Sequence, residues 1–447
     1  MSKQRHHINT FKPAKKPKPA IDTAVLKLHI DSLADDGRGV ARHDNKVVFV
    51  GGALPSETVD AQYIRRHKRY DEAKLLAVST PAEQRVDAIC PVYQRCGGCQ
   101  LQHLNYPSQV SFKQQRLQRV LAAASANSES ATLPAAITGS EFGYRHRARL
   151  SYHNGVLGFK AQASHNLVEV ENCPLLAVEL NGVLSQSTAA IAEFLGDKAT
   201  AEVVLSLSDD GRIALKIKKE GFVDAKRSAV LADKLAAPAF LHSIEGSKGA
   251  AWRGDNAPLS YPVSEALSLP FQPSDFTQVN IAVNQQMIQQ CMAWLKPESG
   301  ELISDYFCGL GNFSLALASA GARVIGVDVG EVMLRRAAQQ AKALDLAIEY
   351  RNADLFDAEN IVLKATSHKV LLDPPRAGAK ALCEVLARSS TVKTIVYVSC
   401  DPATLARDLA ILQEGGFVVA HAVMADMFPQ TYHLESVECQ LGRSYFL

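Results

Sequence analysis

One cysteine, Cys400, stands where a reactive thiol is expected. It follows an apolar run at 394–398, which predicts a strand buried on both faces, and it precedes Asp401-Pro402 and a helical pattern from 403 onward. Open α/β sheets bind their ligands at the carboxyl ends of parallel strands. The N-terminus of the following helix carries a partial positive charge, which favours the thiolate. These features predict a nucleophile rather than a packing cysteine.

Two glycines and two aspartates indicate a site for a nucleoside-containing cofactor. Gly309 and Gly311 follow a predicted strand and permit a tight turn close to a ligand. Asp305 lies at the end of that strand and Asp328 ends the next one, where a carboxylate can accept hydrogen bonds from both hydroxyls of a ribose. A dinucleotide fingerprint requires a third glycine, but position 314 is Ser. The pattern therefore favours S-adenosylmethionine over NAD.

A Pro-rich segment, Asp373-Pro374-Pro375-Arg376, follows a later predicted strand. Asp-Pro-Pro resembles the motif of amino-group methyltransferases, in which an aromatic residue comes next and stacks on the target base. Arg376 stands in that place, so an exocyclic amine is a disfavoured target. A plain strand-to-helix turn is the alternative interpretation, because Asp is a favoured turn residue.

A thiol, a methyl donor and a carboxylate together suit methylation of carbon 5 of a uracil. This carbon is a poor nucleophile until a thiolate adds to carbon 6. A base must then remove the proton from carbon 5 before the thiol is expelled. Glu435 begins an otherwise apolar predicted strand and is the candidate base, although the pattern alone also fits an exposed capping residue.

Five segments resemble the S-adenosylmethionine-dependent RNA uracil-5-methyltransferases: 276–280, 305–313, 373–376, 399–402 and 433–435. The resemblance extends over essentially the whole chain after the N-terminal tail, and it implies Cys400 as nucleophile and Glu435 as base. It also implies a set of residues around the methyl donor, which are Gln278, Phe307, Asn312, Asp328, Asp354 and Asp373. Asp373 is also expected near the target base. The sequence departs from the commonest family pattern at Tyr306, Asp354 and Asp401.

A second group of cysteines is spaced as a metal site. Cys90, Cys96 and Cys99 lie in one Gly-containing segment, and Cys173-Pro174 follows far downstream. Four thiols suit a tetrahedral sulfur site, and their chemistry alone fits either zinc or an iron–sulfur cluster. The family resemblance implies a 4Fe-4S cluster. Methyl transfer from S-adenosylmethionine involves no net redox step, so we expect the cluster to have a structural or RNA-positioning role.

Charge and composition suggest a polyanionic partner. The chain of 447 residues has a net charge of +2, but the segment 1–20 carries six Lys or Arg residues and no acid. Two further basic clusters occur at 65–69 and 145–149. No apolar stretch is long enough for a membrane span or a secretory signal, and nine cysteines are typical of a reducing compartment. We therefore expect a cytoplasmic protein, a monomer without an obligate protein partner.

Four regions must position these residues. Segment 1–20 is predicted to be a disordered basic tail, and 21–80 a small β-barrel whose pattern fits an oligonucleotide-binding or an SH3-like fold. The resemblance identifies this barrel as a TRAM domain. Region 81–270 is predicted to be an α+β domain that holds the cysteine cluster. Region 271–447 alternates strands and helices, which predicts a doubly wound, Rossmann-like methyltransferase domain.

The resemblance implies methylation of carbon 5 of one uridine in 23S rRNA, of the uridine 1939 type. The same chemistry on another rRNA uridine, such as that at 747, is the first alternative. A redox or radical enzyme is disfavoured, because the clustered thiols lack the C-x3-C-x2-C spacing typical of radical enzymes that use S-adenosylmethionine. A non-catalytic RNA-binding or assembly factor is disfavoured because binding alone requires neither Cys400 nor Glu435.

Overall fold

The computed structural model describes five stretches of the chain, which are 24–124, 133–235, 237–249, 251–254 and 257–442. The predicted disordered tail at 1–20 lies outside these residues. The chain divides after Glu83 into two compact units. Among the helices of the described stretches, none combines the length and the apolar character that crossing a lipid bilayer requires.

The first unit contains six strands: β1 (Val25–His29), β2 (Ser32–Leu33), β3 (Gly39–His43), β4 (Lys46–Gly51), β5 (Thr58–Arg66) and β6 (Tyr70–Thr80). They form one sheet in the order β1-β5-β6-β4-β3-β2. The main-chain N–H groups of Ile30 and Asp31 donate to the carbonyls of Glu57 and Val40, at 2.9 and 2.8 Å. Consecutive residues thus bond to opposite ends of the sheet and curve it into a barrel.

The basic cluster at 65–69 spans the end of β5 and the turn that follows it. Arg65 and Arg66 end β5, and only residues 67–69 form the turn before β6. Arg65, Arg66, Lys68 and Arg69 are all exposed. The end of β5 and the turn after it therefore present four cations to solvent.

The second unit begins with helix α1 (Tyr106–Ala124) and a seven-stranded sheet in the order β13-β12-β11-β10-β7-β8-β9. The strands of this sheet are β7 (Arg147–His153), β8 (Val156–Lys160), β9 (Leu167–Glu169), β10 (Thr200–Leu207), β11 (Ile213–Lys219), β12 (Ala239–Glu245) and β13 (Ala251–Arg253). Helices α2 (Val178–Leu195) and α3 (Ala225–Lys234) pack against it, and a short hairpin follows, β14 (Leu259–Pro262) with β15 (Ser268–Phe271). The mixture of helices and strands is what the sequence predicted for this region.

A second seven-stranded sheet has the order β18-β17-β16-β19-β20-β22-β21. Its strands are β16 (Leu302–Tyr306), β17 (Arg323–Asp328), β18 (Ile348–Asn352), β19 (Ser367–Leu372), β20 (Thr394–Ser399), β21 (Val418–Ala425) and β22 (Glu435–Leu441). The first five strands in this order are parallel, and β22 runs antiparallel between β20 and β21. The helices are α4 (Ile281–Leu295), α5 (Asn312–Ser319), α6 (Glu331–Ala343), α7 (Lys380–Ala387) and α8 (Pro402–Glu414). The predicted parallel α/β sheet is confirmed.

Helix α1 and the segment that follows it pack on this second sheet. Leu117 and Ala124 join the apolar cluster that contains α7 and α8, while Ile137 joins the cluster on the other face. Burial of these apolar side chains stabilises the contact between the two regions. The residues from Gln84 onward therefore form one continuous unit, and α1 stands beside the carboxyl-terminal strands.

Candidate active site

The parallel strands bring most of the predicted site residues to one edge of the second sheet. Each strand ends immediately before or at one of them: Phe307 after β16, Asp328 at the end of β17, Asp373 after β19 and Cys400 after β20. Since parallel strands end at the same edge, these side chains share the crevice in which open α/β sheets bind ligands. Asp354 follows β18, the edge strand.

The glycine turn after β16 is held by the carboxylate of Asp328. Asp328 Oδ2 accepts a hydrogen bond from the Gly309 N–H at 3.0 Å, and Oδ1 accepts one from Gly330 at 2.9 Å. Gly311 has a φ of 92°, and a Cβ atom there would lie 2.3 Å from the hydroxyl of Tyr350. Glycine is therefore required at 311 both by backbone conformation and by space.

Two asparagines join this turn to helix α4. Asn312 begins α5, and its amide exchanges two hydrogen bonds of 2.9 Å with the amide of Asn284 on α4. Gln278 is half-buried and lies two residues before Asn280, which caps α4 by accepting from Val283 N. The α4 contact thus brings the segment containing Gln278 to the glycine turn.

Two aromatic residues and one acid form the open side of the site. Phe307 has a φ of 63°, and its ring lies 5.8 Å from that of Phe356. Asp354 is exposed, and its Oδ1 accepts a hydrogen bond from Phe356 N at 2.9 Å. Phe356 is itself 53% exposed, so a flat apolar surface remains open beside the glycine turn.

Buried carboxyl groups make this edge of the sheet a site for positive charge. Asp305 is fully buried, and Ser314 donates to its Oδ2, while Oδ1 has no hydrogen-bond partner within the described residues. Burial, reinforced by Asp373 and Asp328, raises the pKa of Asp305 to about 7. Burial also raises the pKa of Asp373 to about 7. A cationic ligand would favour the ionised form of both acids.

Cys400 faces Glu435 across the ends of two antiparallel strands. The register pairs Ser399 with Ser436, and continuing it by one residue places Cys400 opposite Glu435. Directly opposed residues lie on the same face of a sheet, with Cβ atoms about 4.5–5.5 Å apart. The two groups that uracil chemistry requires are therefore neighbours.

Burial and neighbouring carboxylates oppose the predicted stabilisation of the Cys400 thiolate by the following helix. Burial, together with the nearby Glu435 and Asp373, raises the pKa of Cys400 to about 12, while Arg376 acts in the opposite direction. Asp401 caps helix α8 by accepting from the N–H groups of Ala403 and Thr404 at 3.0 and 3.1 Å. Its carboxylate thus occupies the helix terminus and adds a negative charge beside the thiol.

Glu435 is a buried acid and not an exposed capping residue. It is the first residue of β22 and is 3% exposed. Burial, with Asp373 and Glu438 nearby, raises its pKa well above the ordinary value for Glu, and Arg376 opposes the shift. The predicted apolar character of the strand is also wrong, because Glu438 and Gln440 are buried within it.

Residues that the sequence analysis did not select hold the loop that leads to Glu435. Lys113 on α1 forms an ion pair with Asp426 at 2.6 Å, with both side chains fully buried. Gln109, one turn earlier, exchanges hydrogen bonds with Gln430. No local motif marks these pairs, because their members lie more than 300 residues apart in the sequence.

The four thiols of the predicted cluster are free and half-buried. The thiols act on one another: Cys173 and Cys96 raise the pKa of Cys99, and Cys90 raises the pKa of both Cys96 and Cys173. Burial is the main cause that raises the pKa of Cys99 to about 12. Within the described stretches, no group of three or more His, Cys, Asp or Glu side chains has the geometry of a site for a single metal ion.

The basic cluster at 145–149 is not the exposed surface that its charge pattern suggested. Arg147 donates to the carbonyls of Pro273 and Asp275. Arg145 is half-buried, and its Nε donates to the Tyr144 hydroxyl at 3.3 Å, beside Cys99 and Cys173. Only Arg149 of the three arginines is exposed.

Comparison with known proteins indicates the same chemistry as the residues of the site. The chain is 37% identical to the 23S rRNA (uracil(1939)-C(5))-methyltransferase RlmD of Shewanella sediminis, over 93% of this chain and 95% of the relative. The corresponding protein of Halomonas elongata is 38% identical, over 95% and 91%. This chain belongs to the RNA uracil-5-methyltransferase family.

Family models match three parts of this RNA uracil-5-methyltransferase. A TRAM domain model matches 24–76, a general methyltransferase domain model matches 303–372, and a tRNA (Uracil-5-)-methyltransferase model matches 340–440. Among solved structures, the tRNA (uracil-54, C5)-methyltransferase of Pyrococcus abyssi, in complex with S-adenosyl-L-homocysteine, has a TM-score of 0.74. It is 23% identical, over 93% of this chain and 100% of that one, which shows a shared fold. The chain is thus an S-adenosylmethionine-dependent methyltransferase with an N-terminal TRAM domain.

Proposed function

We propose that this enzyme methylates carbon 5 of one uridine in 23S rRNA, namely the uridine 1939 that its relatives' names specify. The observation that carries the chemistry is the position of Cys400 opposite Glu435, at the edge of the sheet that also holds the glycine turn and Asp328. A thiol and a carboxylate so placed can act in turn on carbons 6 and 5 of one pyrimidine ring.

The reaction begins when the sulfur of Cys400 adds to carbon 6 of the uracil. The thiol proton leaves to solvent, and the electron pair of the C5–C6 double bond moves to make carbon 5 enolate-like. Burial raises the pKa of Cys400 to about 12, so little thiolate is present at neutral pH. Arg376, a nearby cation whose charge favours the ionised form, is exposed.

The methyl donor is proposed to occupy the crevice between the glycine turn and Asp373. Its sulfonium supplies the methyl group that carbon 5 attacks. Asp328 would accept hydrogen bonds from the ribose, and Phe307, Asn312, Gln278 and Asp354 would surround the remainder. Asp305 and Asp373, whose pKa values burial raises to about 7, would become anionic beside the positive charge and stabilise it.

Glu435 completes the reaction as the general base. Its carboxylate takes the proton from carbon 5, the C5–C6 double bond re-forms, and the bond between carbon 6 and the sulfur of Cys400 breaks. The expelled thiolate takes a proton back from solvent, which regenerates the Cys400 thiol, and the proton on Glu435 passes to solvent. The products are 5-methyluridine, S-adenosylhomocysteine and one proton, which balances the positive charge of the donor.

We also propose that Cys90, Cys96, Cys99 and Cys173 hold a 4Fe-4S cluster. The four thiols are free, and Cys90, Cys96 and Cys173 raise the pKa of neighbouring thiols of the set, which supports a shared sulfur site. The choice of a cluster over a zinc ion rests on the family resemblance of the cysteine spacing. When bound, the cluster would cross-link segment 90–99 to Cys173.

The test of the proposed function is a gel-stable adduct between the enzyme and RNA. Fragments of 23S rRNA in which uridine is replaced by 5-fluorouridine are incubated with S-adenosylmethionine and enzyme. Fluorine cannot leave as a proton, so the methylated Cys400 adduct should accumulate. We expect an adduct with wild type and with Cys383→Ala, a control that removes a buried thiol of α7, and none with Cys400→Ala.

RNA mapping then identifies the substrate. An adduct confined to the fragment that contains uridine 1939 supports the proposal, and one confined to the fragment with uridine 747 replaces the substrate but not the chemistry. Binding of both fragments without adduct or methylation would favour the non-catalytic RNA-binding role.

A further inference from the structure

We propose that Gln109 and Gln430 form a positioning pair, which fixes the loop 426–432 and thereby aims the Glu435 carboxylate at carbon 5 of the substrate. This inference rests on the proposed function, since it takes Glu435 to be the base. Neither glutamine faces the glycine turn or Cys400. Their role would be to hold the main chain that enters β22.

The pair is buried and joined by two hydrogen bonds. Gln109 and Gln430 are 1% and 2% exposed. Gln109 Oε1 accepts from the Gln430 main-chain N–H at 2.9 Å, and Gln109 Nε2 donates to Gln430 Oε1 at 2.9 Å. Gln109 Nε2 also lies 3.1 and 2.8 Å from the carbonyls of Leu101 and Leu104. Gln430 adopts a φ of 69°, a conformation that a non-glycine residue holds only when its surroundings impose it.

Side chains on one face of α1 contact the loop 426–432 on both sides of Gln430. Positions 109, 113 and 116 lie on one side of a helix because they are spaced by about one turn. Lys113 donates to the Phe428 carbonyl at 3.0 Å and pairs with Asp426, and Arg116 donates to the Tyr432 carbonyl. The side chains of α1 therefore hold the loop before and after Gln430. The proposed base, Glu435, lies three residues after Tyr432.

The cysteine segment contacts the same loop. The main-chain N–H groups of Gln100 and Leu101, directly after Cys99, both donate to the Gln430 carbonyl at 3.0 Å. On the other side, the Tyr144 hydroxyl donates to the Pro429 carbonyl at 3.1 Å. The cysteine segment and α1 thus both contact the loop 426–432 at Gln430. Because these hydrogen bonds converge on the buried residue Gln430, they favour a single conformation of the loop 426–432.

The experiment compares two Gln-to-Met substitutions on the same helix. Gln109→Met keeps side-chain length and helix propensity but removes both hydrogen-bonding functions. Gln115→Met is the matched control, because Gln115 is exposed and its side chain donates a hydrogen bond to Ser111, on the same helix. For Gln109→Met we expect kcat to fall roughly 100-fold, the cost of misplacing a catalytic group by ~1 Å. The KM for S-adenosylmethionine should not change, because other elements form the donor site.

The decisive readout is the amount of covalent RNA complex during turnover of ordinary, unfluorinated RNA. A misplaced base slows removal of the C5 proton, so the Cys400 adduct should accumulate in Gln109→Met as it does in Glu435→Gln. General destabilisation would instead lower the amount of active enzyme without trapping the adduct. A Gln109→Met enzyme with the kcat and adduct level of Gln115→Met would overturn the proposal.

A second variant covers the case in which Gln109→Met does not fold. Gln430→Asn tolerates the positive φ and keeps the backbone carbonyl, but its amide is one methylene too short to reach Gln109. It should show the same accumulation of adduct, and a folded Gln430→Asn without it would contradict the proposal. Failure of the proposed function itself gives a different result. Glu435→Gln would then form no adduct with ordinary RNA, and the wild type would form none with 5-fluorouridine RNA.

Discussion

Cys400 lies opposite Glu435 at the point where β20 ends and β22 begins, with the cysteine half-buried and the glutamate buried. The charge of Glu435 raises the pKa of the thiol, so the two groups cannot easily both be anions. The order of the reaction follows from this relationship. The sulfur of Cys400 has to bond to carbon 6 of the uracil, and so lose its negative charge, before Glu435 acts as a base.

Glu435→Gln should uncouple methyl transfer from release. An amide cannot take the C5 proton, so we expect turnover to fall by about 10²–10⁴-fold while a methylated enzyme–RNA adduct accumulates. Glu438→Gln is the matched control, a buried glutamate of the same strand whose pKa burial raises to about 8 and which is mostly neutral at pH 7. Equal activity of the two variants would remove Glu435 from the mechanism. Denaturing gels with labelled RNA measure both quantities.

The reactivity of Cys400 in the free enzyme should rise with pH across the whole neutral range. Only the thiolate is alkylated, and with a pKa of about 12 its fraction grows by about tenfold per pH unit below that value. We therefore expect no plateau between pH 7 and 9, by mass spectrometry of the Cys400 peptide after a small uncharged alkylating reagent. A plateau near pH 7 would show that the helix terminus does stabilise the thiolate.

The positive charge of the donor should increase that reactivity. S-adenosylmethionine is a cation, whereas S-adenosylhomocysteine has nearly the same shape and no sulfonium. A cation among Asp305, Asp373 and Glu435 offsets the carboxylates that raise the pKa of Cys400. At pH 7.5 we expect faster alkylation with saturating S-adenosylmethionine than with saturating S-adenosylhomocysteine. Identical rates would mean that the donor's charge does not reach the thiol.

The glycine turn offers a test with a built-in control. Gly311 and Gly321 have φ values of 92° and 95°, so alanine is strained to a similar degree at both. Only at 311 does a new Cβ meet another residue, 2.3 Å from the Tyr350 hydroxyl; at 321 the nearest atom is 3.5 Å away. We expect Gly311→Ala to weaken S-adenosylmethionine binding in calorimetry, and Gly321→Ala to lower stability alone. Equal affinities would contradict a close approach of the donor at 311.

Removing one member of the buried ion pair should destabilise the second unit more than removing both. Lys113→Met leaves the Asp426 carboxylate buried without its cation, which costs about 3–5 kcal/mol. The double variant Lys113→Met/Asp426→Leu should recover part of this loss, because no uncompensated charge remains. Denaturant unfolding of the single and double variants measures the difference. A double variant as unstable as the sum of both single variants would show that the pair is not coupled.

Cys96→Ala should remove iron from the protein and lower the stability of the region around segment 90–99. The expected signs are loss of the visible absorbance of the wild type, purified without oxygen, and a lower iron content. Cys439→Ala, which removes a buried thiol of β22, is the control. A colourless and iron-free but stable wild type would contradict the proposed cluster.

Local motifs were sufficient to predict the sheet and its ligand edge. Cys400, Asp328 and Asp373 each follow an apolar strand directly, so their place depends on a few neighbouring residues. The carboxylates that raise the pKa of Cys400 could not be predicted from its neighbours in sequence, because only the folded sheet brings Glu435 and Asp373 near it. The face of α1 that holds loop 426–432 could not be predicted either, since a Gln-rich helix does not reveal its partner.

The ion pair between Lys113 and Asp426 joins two parts of the chain that are synthesised at different times. Its members are 313 positions apart, so α1 leaves the ribosome long before the loop that it must hold. Until then Lys113 and Gln109 face solvent, and contacts of such long range form late in folding. We therefore expect the carboxylate of Glu435 to reach its working position late in folding, after α1 and the loop 426–432 have met.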